Sequence, residues 1–323
     1  MPSLLKFILL VCALLSAASH AADNYPSKPL RIVVPWPPGG SADLRVRQIA
    51  EKLTGVIGQP VIVDNKAGAS GQIGAESVAR AIPDGYTILY GSVQDQGIAP
   101  AINPKLGYNP LQDFEHITLS HGNVHVLVVH PSVGVNSVKE LTTLLRNNPG
   151  KYSYSSGGIA HTSHFTGALF SQLIQADTVH VAYKGSAPAL ADVVAGQVAF
   201  SFDFVGTSLP FIRSGKLKAL LVTGGKRVPA VANVPTATEA GLKDLDPIVT
   251  WACFVAPKGT PKAIVARLNA AFCKVLRMKD LEKTFVESGT FTMPSTSDEF
   301  TAHLRRELPR WAALLERTKI EVE

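Results

Sequence analysis

The residues best suited to chemistry in this chain lie in "YSSGGIAHTSHF", residues 154–165. His161 and His164, three apart, could ligate a metal. His161 could instead activate Ser156 or Ser163 as a nucleophile, or the glycines could bring backbone N–H groups up to an anion. The metal reading lacks partners, because no H-E-x-x-H pattern, cysteine pair or carboxylate cluster accompanies the two imidazoles. The hydrolase reading, an exported Ser/His enzyme, needs a triad geometry that no spacing here encodes, and it is kept as the alternative. Anion capture is favoured. Tyr154 ends a short strand, Gly157 and Gly158 allow close backbone approach, and Ser155, Ser156, Thr162 and Ser163 supply hydroxyls. A helix opens at 162–164, with His161 placed where its N-terminus would face a ligand.

A second stretch, "VVPWPPGGSAD", has the same build. A strand runs into Pro35, Pro37 and Pro38, Gly39 and Gly40 follow, and a helix starts near Ser41. Uncapped amides and the helix dipole at such a start suit an anion; a plain turn capped by Ser41 would use the same residues. "KAGASGQIGA" differs. Its Gly68, Gly71 and Gly74 follow G-x-x-G-x-x-G, which is neither a dinucleotide nor a P-loop signature, and Gln72 stands where a nucleophile elbow needs glycine. It reads as a structural turn.

The elements around these loops alternate. "LRIVV", "VIVDN", "YTILYG", "VHVLVVH", "KYSYSSGG", "TVHVAYKG" and "QVAFSFDF" read as strands, and helices of ten to fifteen residues lie between many of them. Such alternation predicts an α/β protein with mostly parallel sheets, and the near-continuous apolar strands fit sheets covered on both faces. The first helix is expected over about 43–53 and another from His164 to about Gln175. In the C-terminal part, Ile264, Leu268, Phe272 and Val275 share one helix face, as do Phe300, Leu304, Leu308, Trp311 and Leu315; both stripes predict core packing.

Composition narrows the function classes. With 323 residues, 46% hydrophobic and only 17% charged, the chain is long enough for two globular domains. Residues 1–21 carry a basic start at Lys6, an apolar run from Phe7 to Leu15 and small residues at Ser19 and Ala21. This is the pattern of a signal peptide cut after Ala21, and it predicts a soluble exported protein, most naturally periplasmic. Removing it takes one lysine and no acid, so the net charge falls from +6 to +5. The positive residues are scattered without interleaved aromatics, which argues against nucleic acid. No metal or other cofactor is called for. Cys253 and Cys273 read as a strand and a helix position, and a disulfide or two buried thiols both stay open.

Taken together, "YPSKPLRIVVPWPPGGSAD", "GQPVIVDNKAGASGQIGA", "PDGYTILYG", "VHVAYKGSAPALADVVAGQV", "IRSGKLKALLVT", "VPTATEAG" and "VAPKGTPKAIVARLNA" resemble, in order and over the mature chain, the extracytoplasmic solute receptors of tripartite tricarboxylate transporters, the Bug-type receptors. The resemblance implies a type II periplasmic-binding-protein fold. Its two α/β lobes would span 22–124 with 224–323, and 125–223, closing on a small carboxylate. It also implies a non-enzymatic monomer that serves membrane permease subunits, although a receptor signalling to a membrane sensor would use the same surfaces. Carboxylate contacts carry over to Pro38, Gly39 and Gly40 and to Ser156, Gly158, Thr162 and Ser163. Trp36, Ser92, Asp95, His161, Asp203 and Phe204 complete the expected site. Trp36, Phe204 and Ile159 suggest a wall for an aromatic acid such as terephthalate, ahead of short aliphatic acids and of amino acids or amides. Asp95 would pair with an amino or hydroxyl group or repel a second carboxylate, and a protonated His161 would pair with a carboxylate.

Overall fold

The computed structural model describes residues 25–322, so the signal-peptide reading of 1–21 lies outside the described residues. The strands are β1 (Leu30–Val34), β2 (Val61–Asn65), β3 (Thr87–Ser92), β4 (Phe114–Val129), β5 (Ser153–Ser156), β6 (Val179–Ala182), β7 (Phe200–Phe204), β8 (Lys218–Val222), β9 (Val249–Pro257) and β10 (Thr290–Thr292). Helices α1 (Ser41–Ile57), α2 (Gln72–Ala79), α3 (Ala99–Ile102), α4 (Val138–Arg146), α5 (Thr162–Leu173), α6 (Ser186–Val194), α7 (Val205–Arg213), α8 (Lys262–Leu276), α9 (Lys279–Glu287) and α10 (Ser297–Thr318) connect or cover them. The α/β architecture expected from the alternation is present.

The sheets are mixed rather than mostly parallel. Strands run in the order β2-β1-β3-β9-β4-β7-β5-β6, with β10 and β8 also on β4. β1 pairs in parallel with β2 and β3, and β5 with β6 and β7. β9, β10, β7 and β8 all meet β4 antiparallel. The physical reason is β4 itself. At 16 residues it serves both halves: Phe114–Val124 pair with β9, and His125–Val129 pair with β7. Antiparallel partners therefore line both stretches of this one strand, and parallel pairing is left to the outer strands.

Apolar burial follows the predicted stripes. Ile264, Leu268, Phe272 and Val275 are buried, as are Phe300, Leu304 and Trp311, and all seven pack into the cores. The α1 helix is longer than expected at both ends. Its C-terminus stops at Gly58, whose φ of +70° lets the chain turn out left-handed at no Cβ cost. Cys253 and Cys273 are separate buried thiols. Cys273 faces the Thr118 hydroxyl and the Ser295 carbonyl, while burial pushes the Cys253 thiol well up.

Candidate functional site

The bend after β1 is exposed from Pro37 to Ser41, with Trp36 half-buried beside it. Gly40 is the N-cap of α1 and has no side chain to cap with, so Ser41 is not the cap. Gly39 does not offer its N–H outward. At φ +79° it donates to Asp43 Oδ2 at 2.9 Å, which corrects the expectation of a ligand contact through that amide. Asp43 is 2% exposed and also accepts from Arg47 Nε at 3.0 Å and Asn65 Nδ2 at 3.0 Å. The Arg47 hydrogen bond, with the Gly39 amide and Asn65, holds the carboxyl down at about 2 against the opposition of burial. The bend is therefore braced by an anion of its own, and Gly40 supplies no side chain to cap the first-turn amides of α1.

Asp95 and Asp203 do not reach into a crevice. Asp95 is fully buried. Its Oδ1 accepts both the N–H and the hydroxyl of Ser92, at 2.8 and 2.6 Å, in a capping box, and its Oδ2 accepts from Gln96 at 2.9 Å. Asp203, 4% exposed, accepts from the Thr207 and Ser208 hydroxyls at the start of α7. Burial raises both carboxyls to about 6. Ser92 is likewise spent on its cap. Each polar group is engaged by its own helix start, as buried acids must be.

The second loop comes together as a braced cradle. Ser156, 1% exposed, donates to the Gly158 carbonyl at 3.0 Å and lies 2.6 Å from His180 Nε2. Gly158 has φ +137°. Ser163 Oγ accepts the Gly157 N–H at 3.1 Å and lies 2.8 Å from His161 Nδ1, which also accepts the Ser163 N–H. Nδ1 therefore carries no proton, and burial lowers His161 to about 4. With no acid beside it, the imidazole is neutral in the ligand-free protein.

Phe204 stacks on His125 at 5.1 Å and 28° and lies edge-on to His161 at 6.5 Å. His125, directly opposite Phe204 in the β4–β7 register, has Nδ1 3.0 Å from Thr166 Oγ1 and Nε2 3.4 Å from Thr162 Oγ1. Thr166 spends its own proton on the Thr162 carbonyl, so His125 Nδ1 must donate. Ile159 turns the other way. It lines a cavity of about 470 Å³ with Tyr154, the stacked pair His164 and His180, and the C-terminal Ile320, not with Phe204.

The second loop is tied to the segment after β3 by a residue the sequence did not single out. Gln94, in the segment capped by Ser92, donates to the Ala160 carbonyl at 3.1 Å. On its own side, a Cβ built on Gly71 would sit 3.3 Å from Asp95 Cβ and 3.5 Å from both Pro35 and the Trp36 ring. Trp36, Ser92 and Asp95 thus form one group, and Ser156, Gly158, His161, Thr162, Ser163, His125 and Phe204 the other, with Gln94 bridging them. Pro38, Gly39 and Gly40 stand on the rim beyond Trp36.

The arrangement suits binding better than catalysis. Ser156 Oγ is buried and shared between the Gly158 carbonyl and His180 Nε2, an imidazole that makes no hydrogen bond to a carboxylate among the described residues. The Ser163–His161 pair has no carboxylate hydrogen-bonded to the imidazole among the described residues, and no cluster of metal-binding side chains occurs among them. No helix among the described residues is long and apolar enough to cross a membrane.

Comparison with known proteins agrees. The family model described as "Tripartite tricarboxylate transporter family receptor" matches residues 45–320. Protein BugT of Bordetella pertussis is 32% identical over 303 residues, 94% of this chain and 93% of that protein. A Rhodopseudomonas palustris structure with adipate superposes with a TM-score of 0.84 at 30% identity, covering 92% of this chain and 99% of the other. MatC from the same organism, with bound malate, gives 0.79 at 30% identity over 90% and 100%. The resemblance read from the sequence motifs is confirmed, and the two-lobe solute-binding fold with it.

Proposed function

Since this chain belongs to the tripartite tricarboxylate transporter receptor family, we propose that it is a periplasmic binding protein that captures a small organic dicarboxylate and delivers it to membrane permease subunits. The observations that carry this reading are the two braced glycine bends and the Gln94–Ala160 hydrogen bond, which ties the 93–98 segment to the second of them. One bend leaves the first-turn amides of α1 without a side-chain cap, and the other sets the Thr162 hydroxyl against His125 and the Ser163 hydroxyl against His161, the two rings that flank Phe204. We take the lobes to be 22–124 with 224–323, and 125–223, the passage falling where β4 changes partners. The binding unit is a monomer, and the ligand is altered by no bond-making step.

For the ligand class, Phe204 supports an aromatic acid, terephthalate or a close relative. Its ring is half-buried and lies flat on His125, giving an apolar wall with hydroxyls at its edge. Aliphatic acids such as adipate or malate fit the same polar groups with less apolar contact. Thermal-shift and calorimetric screening with terephthalate, benzoate, adipate, malate and nicotinamide tests the reading. A ligand at 100-fold excess over its Kd adds about 2.7 kcal/mol of stability. Absence of a shift with all four acids would overturn it, and tightest binding of adipate or malate would overturn the aromatic preference alone.

A further inference from the structure

Arg45 lies on α1 one turn past the Gly39–Gly40 bend, half-buried. Among the described residues, no carboxylate stands in ion-pair range of it and its guanidinium makes no hydrogen bond. Its Cζ sits 5.3 Å from the centre of the Phe285 ring. That ring meets His121 edge-on at 5.4 Å, and His121 stacks on Tyr90 at 6.0 Å, with the Tyr90 hydroxyl 3.3 Å from Nε2 and Ser120 Oγ 3.1 Å from Nδ1. The elements packed here, α1, β3, β4 and α9, therefore contribute one permanent cation and two buried polar rings. Burial keeps His121 neutral and the Tyr90 hydroxyl protonated. Asp95, whose charge reaches Tyr90, is already engaged by Ser92 and Gln96.

A half-buried guanidinium without an acid is costly. Stacking on one phenyl face offsets part of that cost and gives none of its five N–H donors an acceptor. Side chains on a helix lean toward its N-terminus, and Arg45 lies within the first two turns of α1. We infer that Arg45 is the counter-charge for a carboxylate of the captured acid, completing with the start of α1 a cradle that requires a full negative charge. The inference rests on the carboxylate-binding reading and sharpens it. Neutral amides of the same shape would leave the guanidinium unpaired and be rejected.

Calorimetry on the wild type, Arg45→Met and Arg45→Lys, with terephthalate, adipate and malate, tests this. The acid that binds the wild type should bind Arg45→Met about 10- to 100-fold more weakly, with partial recovery in Arg45→Lys. The melting temperature of the ligand-free Arg45→Met protein should be equal or higher, since an uncompensated charge has been removed. Arg45→Gln replaces the methionine variant if circular dichroism shows that variant to be misfolded. Binding by Arg45→Met or Arg45→Gln within twofold of wild type overturns the inference and leaves the carboxylate reading standing. Failure of the wild type to bind any of the acids overturns both.

Discussion

Replacing Asp43 by asparagine tests how the first bend is held. The carboxylate accepts from Gly39, Arg47 and Asn65, and its pKa falls from the model-compound 3.8 to about 2, chiefly through Arg47. A group held lower in the folded than in the unfolded chain stabilises the fold above the unfolded value and loses that contribution as pH falls through the folded one. The full difference corresponds to about 2.4 kcal/mol between protonation states. The Arg47 side chain is 49% exposed, so solvent screening brings the expected contribution to about 1–1.5 kcal/mol. Urea titrations of wild type and Asp43→Asn, with sucrose present to keep both folded in acid, should show the variant weaker by that amount at pH 7. The gap should close between about pH 4 and pH 2. A gap that is absent at pH 7, or that stays constant down to pH 2.5, would refute the account of the bend as anchored by an ionised Asp43.

Other perturbations follow from the same geometry. His125, His161, His164 and His180 are lowered to between about 3 and about 4 by burial, so each stays neutral in the fold and charges more readily in the unfolded chain. Stability should be full above about pH 6.5 and fall steadily toward pH 4, read by the urea midpoint; a midpoint constant from pH 7.5 to 5 would contradict this. Ligand affinity should be flat from pH 6 to 8, because His161 carries no charge anywhere in that range. Gly39→Val meets no atom within 4 Å of the new Cβ but must hold φ +79°, at a cost of about 1–2 kcal/mol; binding should drop at least tenfold while circular dichroism is unchanged. Cys253 and Cys273 should resist thiol reagents until the protein is unfolded, and reductant should leave the melting temperature where it was.

Much of the frame could be read from the chain because apolar spacing reports burial directly, as at Ile264, Leu268 and Phe272. The first half of β4 could not. "FEHITLSHGN" intersperses His116, Thr118, Ser120 and His121 among its apolar residues, and the burial of His116, Thr118 and His121 makes sense only once Thr301, Ser295 and Tyr90 arrive from other segments. The site was half visible. Two glycine bends announced themselves through local chemistry, whereas the roles of Asp95 and Asp203 depended on which hydroxyls claimed them. For Asp95 a signal was present, since Ser92 and Asp95 have the S-x-x-D spacing of a capping box. Gln94 and Arg45 gave none: one matters through a partner 66 residues away, the other through the lack of one.

The 16-residue strand common to both halves has a consequence for how the molecule is made. One half is not a continuous stretch of chain, because cutting between Val124 and His125 would part β9 and β10 from Phe114–Val124, while β7 and β8 would keep His125–Val129. Fragments expressed separately would each display bare main-chain donors and acceptors along apolar strands, an invitation to clump rather than fold. The half built on Phe114–Val124 therefore cannot be finished until the chain has passed through the other half and returned with β9 and β10.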